Sequence, residues 1–419
     1  MSAAPPQRIA LASLAGTALE YYDFAVYNTL AALVFNQLFF PSVDPRTGIL
    51  LSFGTYWLGY LSRPLGGALF GHLGDRRGRR FVLVITLLMM GSATTAIGLL
   101  PDYSQIGVWA PILLVMLRFV QGVALGGEWA GAVLLSMEHG EDTRRGRNTA
   151  WAQMGPSTGV LVATGFIALI TWLIPREDLL AWGWRLPLLA SVVLVGFGLW
   201  LRMGVPETPQ FRALEAQASR SRAPLGEVLR AHRRALLIAG GSRFGPDVMY
   251  SLITAFLLTY ITRELALSRT LATTALAIGA ACNVVCVFAA GSLSDRFGRR
   301  AVYAAGAVAA ALWLWALFPM LDSRSGPAIT LAIVSGLSIH AFMYGPQGAF
   351  ITEQFPARVR YAGASVAYTL AGVFAGGIAP LAFTALFGKY GNTSVIVWYA
   401  TAALCITAIA LWSARPPRP

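Results

Sequence analysis

The chain has 419 residues, of which 56% are hydrophobic and 12% charged, and its mean hydropathy is +0.61. A soluble domain is about 25% charged, so a soluble enzyme is excluded; disorder and collagen are excluded too, because the 43 glycines have no three-residue period and the apolar residues come in long blocks. The formal charge of +13 does not point to nucleic acid, since the basic residues sit in short loops between apolar blocks and not over a polar face.

A membrane span needs about 20 mostly apolar residues. In chain order, spans are predicted near 9–38, 49–72, 81–100, 109–138, 148–173 and 184–203. After a polar stretch they resume near 235–262, 270–293, 301–320, 328–353, 363–388 and 393–414. The opening MSAAPPQRIA lacks a cleavable signal pattern, so the first block reads as a retained helix. The expected fold is an all-α integral membrane protein of twelve helices in two pseudo-symmetric six-helix bundles, residues 1–203 and 235–419, joined by a linker at 204–234. That linker carries Arg212, Arg220, Arg222, Arg230, Arg233 and Arg234 and is expected to hold a short amphipathic helix. Other basic loops hold Arg76, Arg77, Arg79 and Arg80; Arg144, Arg145 and Arg147; Arg296, Arg299 and Arg300; and Arg358 and Arg360. The positive-inside rule places all of these loops, and with them both termini, in the cytoplasm; the membrane expected is a bacterial inner membrane.

The halves repeat. Gly71-His-Leu-Gly-Asp75-Arg76-Arg-Gly78-Arg79-Arg80 recurs as Gly291-Ser-Leu-Ser-Asp295-Arg296-Phe-Gly298-Arg299-Arg300, and Glu138 with Arg144 recurs as Glu353 with Arg358. Asp23 maps to Asp247 and Gly126-Gly-Glu128 to Gly345-Pro-Gln347. Such duplication is a transporter architecture. In the repeated loop the glycines permit close packing and a tight turn, the acid can accept from backbone N–H groups at a neighbouring helix end, and the arginines can reach Glu138 or Glu353. Gating is the expected role of Gly71, Asp75, Arg76, Gly78, Arg79, Glu138 and Arg144, and of Asp295, Arg296, Gly298, Arg299, Glu353 and Arg358 in the second copy.

This run resembles the signature loop of the major facilitator superfamily, over the whole chain. Glu20-Tyr-Tyr-Asp23-Phe-Ala-Val-Tyr27, Arg63-Pro-Leu-Gly-Gly, Arg118-Phe-Val-Gln121-Gly, Gly126-Gly-Glu128-Trp129 and Gly345-Pro-Gln347 through Gly363 resemble the metabolite:H⁺ symporters. That resemblance implies carriage of shikimate, 2-oxoglutarate, citrate or related carboxylates, or of proline and betaine. Ser294 departs from the pattern, where the first copy has Gly74.

An ionisable residue in hydrocarbon is costly unless paired or facing water, so each is a functional candidate. Asp23 falls about 21 Å from the inner face and Arg118 about 16 Å, close enough to pair, and Glu20 shares the face of Asp23. Protonating Asp23 would free Arg118; Glu20 and Glu128 are the further proton-coupling candidates. The resemblance agrees, since proton-coupled members often pair an acid on the first helix with an arginine on the fourth. Arg243 and Asp247 stand at i and i+4 and either satisfy each other or leave Arg243 to grip a substrate carboxylate. Arg63 is expected nearer the cytoplasmic side in a packing or gate role, and His340 to be an interior hydrogen-bonded group or a proton relay. Tyr22, Tyr27, Tyr56, Tyr60, Gln121, Gln153, Tyr344 and Gln347 are candidates to line a central cavity. Gly155-Pro156, Gly245-Pro246 and Gly345-Pro346 are expected to bend or break their helices.

The sequence therefore predicts a proton-coupled secondary transporter importing a small organic anion or zwitterion by alternating access, acting as a monomer among membrane lipids. It has no cofactor, metal or nucleic-acid partner; no GxxxxGK[ST] string occurs, so ATP does not drive it. An efflux antiporter shares every gating feature and is the alternative. A membrane enzyme is disfavoured, because His72, His139, His232 and His340 have no ligand spacing and no HExxH occurs. Cys282, Cys286 and Cys405 lie in apolar stretches and read as small apolar residues.

Overall fold

In a computed structural model, residues 6–41, 51, 54–55, 57–217, 219 and 221–414 are described, and among them every regular element is a helix. Helix α1 (Pro6–Leu30) continues through a widened turn at Ala31–Phe35 to Leu38. Helix α2 is described from residue 57 and includes Arg63–Arg77. Then come α3 (Arg79–Leu99), α4 (Trp109–His139), α5 (Asp142–Leu173), α6 (Arg185–Met203), α7 (Arg233–Glu264) and α8 (Arg269–Phe297). The last four are α9 (Arg299–Asp322), α10 (Gly326–Glu353), α11 (Ala357–Tyr390) and α12 (Ser394–Ser413).

Helices α3 to α12 are each long and apolar enough to cross a membrane. Helix α1 is as long but carries Glu20, Asp23 and Asn28 within its span; part of the start of the second predicted span, including Tyr56, lies outside the described residues, as does Arg220. Trp172 and Trp412, 80% and 88% exposed, face outward as lipid-side bulk. The chain is a multi-pass membrane protein.

Most helix edges fall within a few residues of the predicted ones; α5 and α11 begin earlier, at Asp142 and Ala357, and α2 and α8 run on to Arg77 and Phe297. The last two stop at Gly78 and Gly298, whose φ values of 111° and 91° belong to a region that side chains resist. The linker holds two short helices, Pro209–Ala216 and Pro224–Ala231, the first capped by the Thr208 hydroxyl accepting from the N–H of Phe211.

Helix α1 packs on α5 and α6, α3 on α4 and α6, and α10 on α8 and α9. Between the first six helices and the last six, α2 lies along α11 and α5 along α8. The α2–α4 contact needs glycine: a Cβ on Gly66 would stand 1.8 Å from the carbonyl oxygen of Val123. Of the three Gly-Pro pairs, the first two coincide with breaks, at Met154 in α5 and at Arg243 in α7. The third does not, since α10 runs unbroken through Pro346. There Gly345 sits against α8, where a Cβ would stand 2.6 Å from the Val287 carbonyl oxygen, so packing holds that stretch helical.

Candidate functional site

At the end of the bundle that carries the arginine loops, the two halves are latched twice. Asp75, at the foot of α2, accepts from the backbone N–H groups of Tyr361 and Ala362 in α11, at 3.2 and 2.9 Å. Asp295, at the foot of α8, accepts from those of Gly146 and Arg147 in α5, both at 2.8 Å. Each carboxylate thus caps a helix start in the other half, where free N–H groups and the helix dipole favour a negative charge. Arg79 lies 3.4 Å from both Asp75 and Glu138 and donates to the Ala357 carbonyl. Arg299 likewise pairs with Asp295 at 2.5 Å and Glu353 at 3.6 Å. Gly71 lets α11 approach, since a Cβ there would stand 2.8 Å from the Cα of Ala362. Arg76 and Arg296 point outward, and Arg144 pairs with Glu141 on the surface. Arg358 reaches into the linker and binds Glu227 at 2.7 Å. Burial alone would raise the Glu227 carboxyl, but the hydrogen bonds from Arg358 and Ser221 and the charges of Arg358 and His232 outweigh it and hold the group below the ordinary glutamate value.

Inside the first half, the Asp23–Arg118 ion pair expected from helix depth does not form. Asp23 instead accepts from the hydroxyls of Ser191 at 2.5 Å and Thr94 at 2.8 Å. Arg118 donates to Gln121 at 2.7 Å and stacks 3.7 Å from the Tyr27 ring, and Gln121 donates to Thr94 at 2.7 Å. Acid and base are therefore joined through Thr94 and Gln121, because the hydroxyl donors of α3 and α6 reach the carboxylate first. A second buried charge group lies beside it. Arg202, on α6, donates to Glu128 through both terminal nitrogens and to the Leu83 carbonyl, and Thr86 donates to Glu128 at 2.7 Å. Glu20 lies in the field of the same guanidinium.

Where α1, α2, α5, α7, α8, α10 and α11 converge lies a small cavity of about 60 Å³. Its charged lining consists of Arg63, Arg243 and Asp247 among the described residues. Arg243 and Asp247 form an ion pair at 2.6 Å, and Arg243 also donates to the Tyr368 carbonyl and lies over its ring. Ser157 donates to Asn283 at 2.8 Å, and Asn283 stands 3.4 Å from Nδ1 of His340, which stacks on Tyr344. Of the substrate candidates, Arg243, Asp247 and Tyr344 line this space. The others stand behind it: Tyr27 and Gln121 surround Arg118, Gln153 bridges Trp129 to the Tyr344 carbonyl, and Gln347 donates to Tyr303. Arg63, expected at the inner gate, is in the cavity.

One GxSxG string occurs, Gly155 to Gly159, but Ser157 sits within a helix and donates to an amide oxygen, so it is no strand-to-helix nucleophile elbow. Sequence reasoning missed Arg202, which stands near a helix end and passes for one more positive-inside arginine. It also missed Thr94 and Ser191, whose hydroxyls look like ordinary helix residues, and Glu207, which accepts from the N–H groups of Arg79 and Arg80 at the start of α3.

The sugar (and other) transporter family matches residues 9–231 and again residues 212–414. The shikimate transporter of Escherichia coli (strain K12) is 40% identical over 415 residues, 98% of this chain and 94% of that protein. The glycine betaine/proline/ectoine/pipecolic acid transporter OusA of Dickeya dadantii (strain 3937) is 34% identical over 378 residues, 87% of this chain and 74% of that one. Among solved structures, the proton:xylose symporter XylE of E. coli superposes with a TM-score of 0.75 at 17% identity, over 97% of this chain and 94% of that one. The E. coli fucose:proton symporter FucP gives 0.71 at 16% identity, over 98% and 99%. At those identities the likeness establishes the fold.

Proposed function

The chain belongs to the sugar (and other) transporter family, within the major facilitator superfamily, and from that premise we propose that it is a proton-coupled symporter bringing a small organic acid or zwitterion into the cell by alternating access. The family transports and does not catalyse. The two relatives named for shikimate and for betaine and proline support a small carboxylate-bearing metabolite. The two solved proton symporters of the same fold are in keeping with proton coupling.

The observation that carries the reading is the mirrored pair of carboxylate latches at one end of a bundle that holds a central cavity. Residues 1–203 and 235–419 act as the two rocking bodies, and 204–234 is the strap between them. With the arginine loops in the cytoplasm, both termini lie there too, and the latched state closes the cavity toward the cell interior. Opening inward requires both helix caps to part. Asp23 carries the proton; its link through Thr94 and Gln121 to Arg118 lets a change of charge on α1 be felt on α3, α4 and α6. Glu20, in the field of Arg202, and Glu128, paired with it, are the next acids in line.

Labelled shikimate and glycine betaine, offered to proteoliposomes with an alkaline interior, test this. Accumulation of either that a protonophore abolishes is expected. Loss of preloaded solute on imposing an outward-acid gradient, with no uptake, would instead make the protein an efflux antiporter.

A further inference from the structure

Resting on that transport reading, we propose that Arg63, and not Arg243, is the anchor for the substrate carboxylate, and that the cavity is built for an acid with a single negative charge and neutral polar substituents.

Arg63 is only 6% exposed, yet its Nε and Nη2 have no hydrogen-bond partner among the described residues. The side chain is held by ring faces, Tyr60 at 3.7 Å and Phe24 at 4.6 Å from the guanidinium carbon. Such contacts fix the plane of the fork without neutralising its charge. Glu20 and Asp247 lie within its field, but no ion pair forms with either. A buried guanidinium left with free donors is costly, and it faces a cavity, which is the arrangement of a receptor awaiting a planar anion that can take two parallel N–H bonds. Arg243, which the sequence singled out, is already neutralised by Asp247 and tied to α11 through the Tyr368 carbonyl.

The charges of the lining then set the class of ligand. Arg63 and Arg243 against Asp247 leave one positive charge in surplus among the described lining residues. A monocarboxylate completes that balance. A dicarboxylate would bring a second, uncompensated charge into a low-dielectric space, and a zwitterion would bring an ammonium toward Arg63. Elsewhere the lining offers neutral donors and acceptors, Ser157, Asn283 and His340, beside the rings of Tyr250 and Tyr344. Those groups suit hydroxyls on a compact ring.

The test uses full-length protein in proteoliposomes with shikimate, quinate, benzoate, succinate and glycine betaine, and the methyl ester of whichever monocarboxylate is taken up best. The parent protein should prefer a monocarboxylate and bind its ester far more weakly. Arg63→Gln should lower affinity for the acid about a hundredfold, the loss expected of a charged hydrogen-bond pair, and bring the acid-to-ester ratio close to one; Arg63→Lys should recover little. Because the free guanidinium is unpaired, ligand-free Arg63→Gln should melt at or above the parent's temperature, whereas a structural arginine would lower it. An unchanged acid-to-ester ratio in Arg63→Gln overturns the assignment, and so does a parent protein that prefers succinate or betaine. A parent that accumulates none of the five under a pH gradient defeats the symport reading itself.

Discussion

Ala362 donates its backbone N–H to Asp75 at 2.9 Å across 287 residues of sequence, so the signature acid of the first half caps a helix of the second. Asp295 returns the contact to Arg147 at 2.8 Å. If these caps exist only while the arginine-loop end is shut, Asp75→Asn weakens that state by about 1–3 kcal/mol, the usual size of a conformational coupling. Turnover should fall sharply while ligand affinity in detergent changes little, and Asp295→Asn should behave alike. Parent-like turnover in both variants would leave the loops as topology alone.

The linker should report on acidity. Glu227 has its carboxyl held below the ordinary value, so its pair with Arg358 contributes stability above the ordinary glutamate pKa of about 4.3 and loses it as pH falls through the lower folded value. With Arg358 half exposed, the contribution should not exceed about 1 kcal/mol. Melting curves of the parent and Glu227→Gln should differ slightly at neutral pH and converge in acid. A gap that widens below pH ~4 would contradict the assignment.

The architecture was legible because hydrophobic block length, arginine placement and an internal repeat are local signals that survive in one sequence. Asp75 and Asp295 could even be assigned to helix-end caps, since an acid beside a Gly-Arg-Arg turn has few other places to go. The side-chain partners inside the bundle were not legible. Depth counting placed Asp23 and Arg118 at compatible heights but could not see that Ser191 and Thr94 reach the carboxylate first. Nor does any spacing distinguish Arg202, buried against Glu128, from a cytoplasmic arginine, or show that Arg63 turns toward the cavity. Rotation about the helix axis decides those contacts, and it is set by packing against other helices.

Arg202 should be structurally indispensable on its own but not as a pair. Arg202→Met leaves Glu128 and Glu20 buried without their cation, and breaking a buried pair this way costs about 3–5 kcal/mol. Adding Glu128→Gln removes one of the stranded charges, so the double variant should melt well above Arg202→Met. If the two losses simply add, the pair is not the stabilising unit, and Arg202 acts through the Leu83 carbonyl alone.

The proton step is the most direct test of the cycle. Asp23 accepts from two hydroxyls and is tied through Thr94 and Gln121 to Arg118, so a proton on the carboxylate removes the charge that α3 and α6 are oriented around. Asp23→Asn keeps the size of the side chain, mimics the protonated form and cannot lose its proton. Accumulation driven by a pH gradient should therefore vanish, while counterflow persists, because exchanging internal for external substrate requires only that the loaded carrier reorient. Arg118→Ala should be the more damaging change, since it strips Asp23 of its nearby positive charge and removes the cation packed on Tyr27. Both activities measured in the same vesicles decide the matter: normal pH-driven accumulation by Asp23→Asn would move the coupling proton to another acid, with Glu20, Glu128 and Asp247 to be neutralised next in that order.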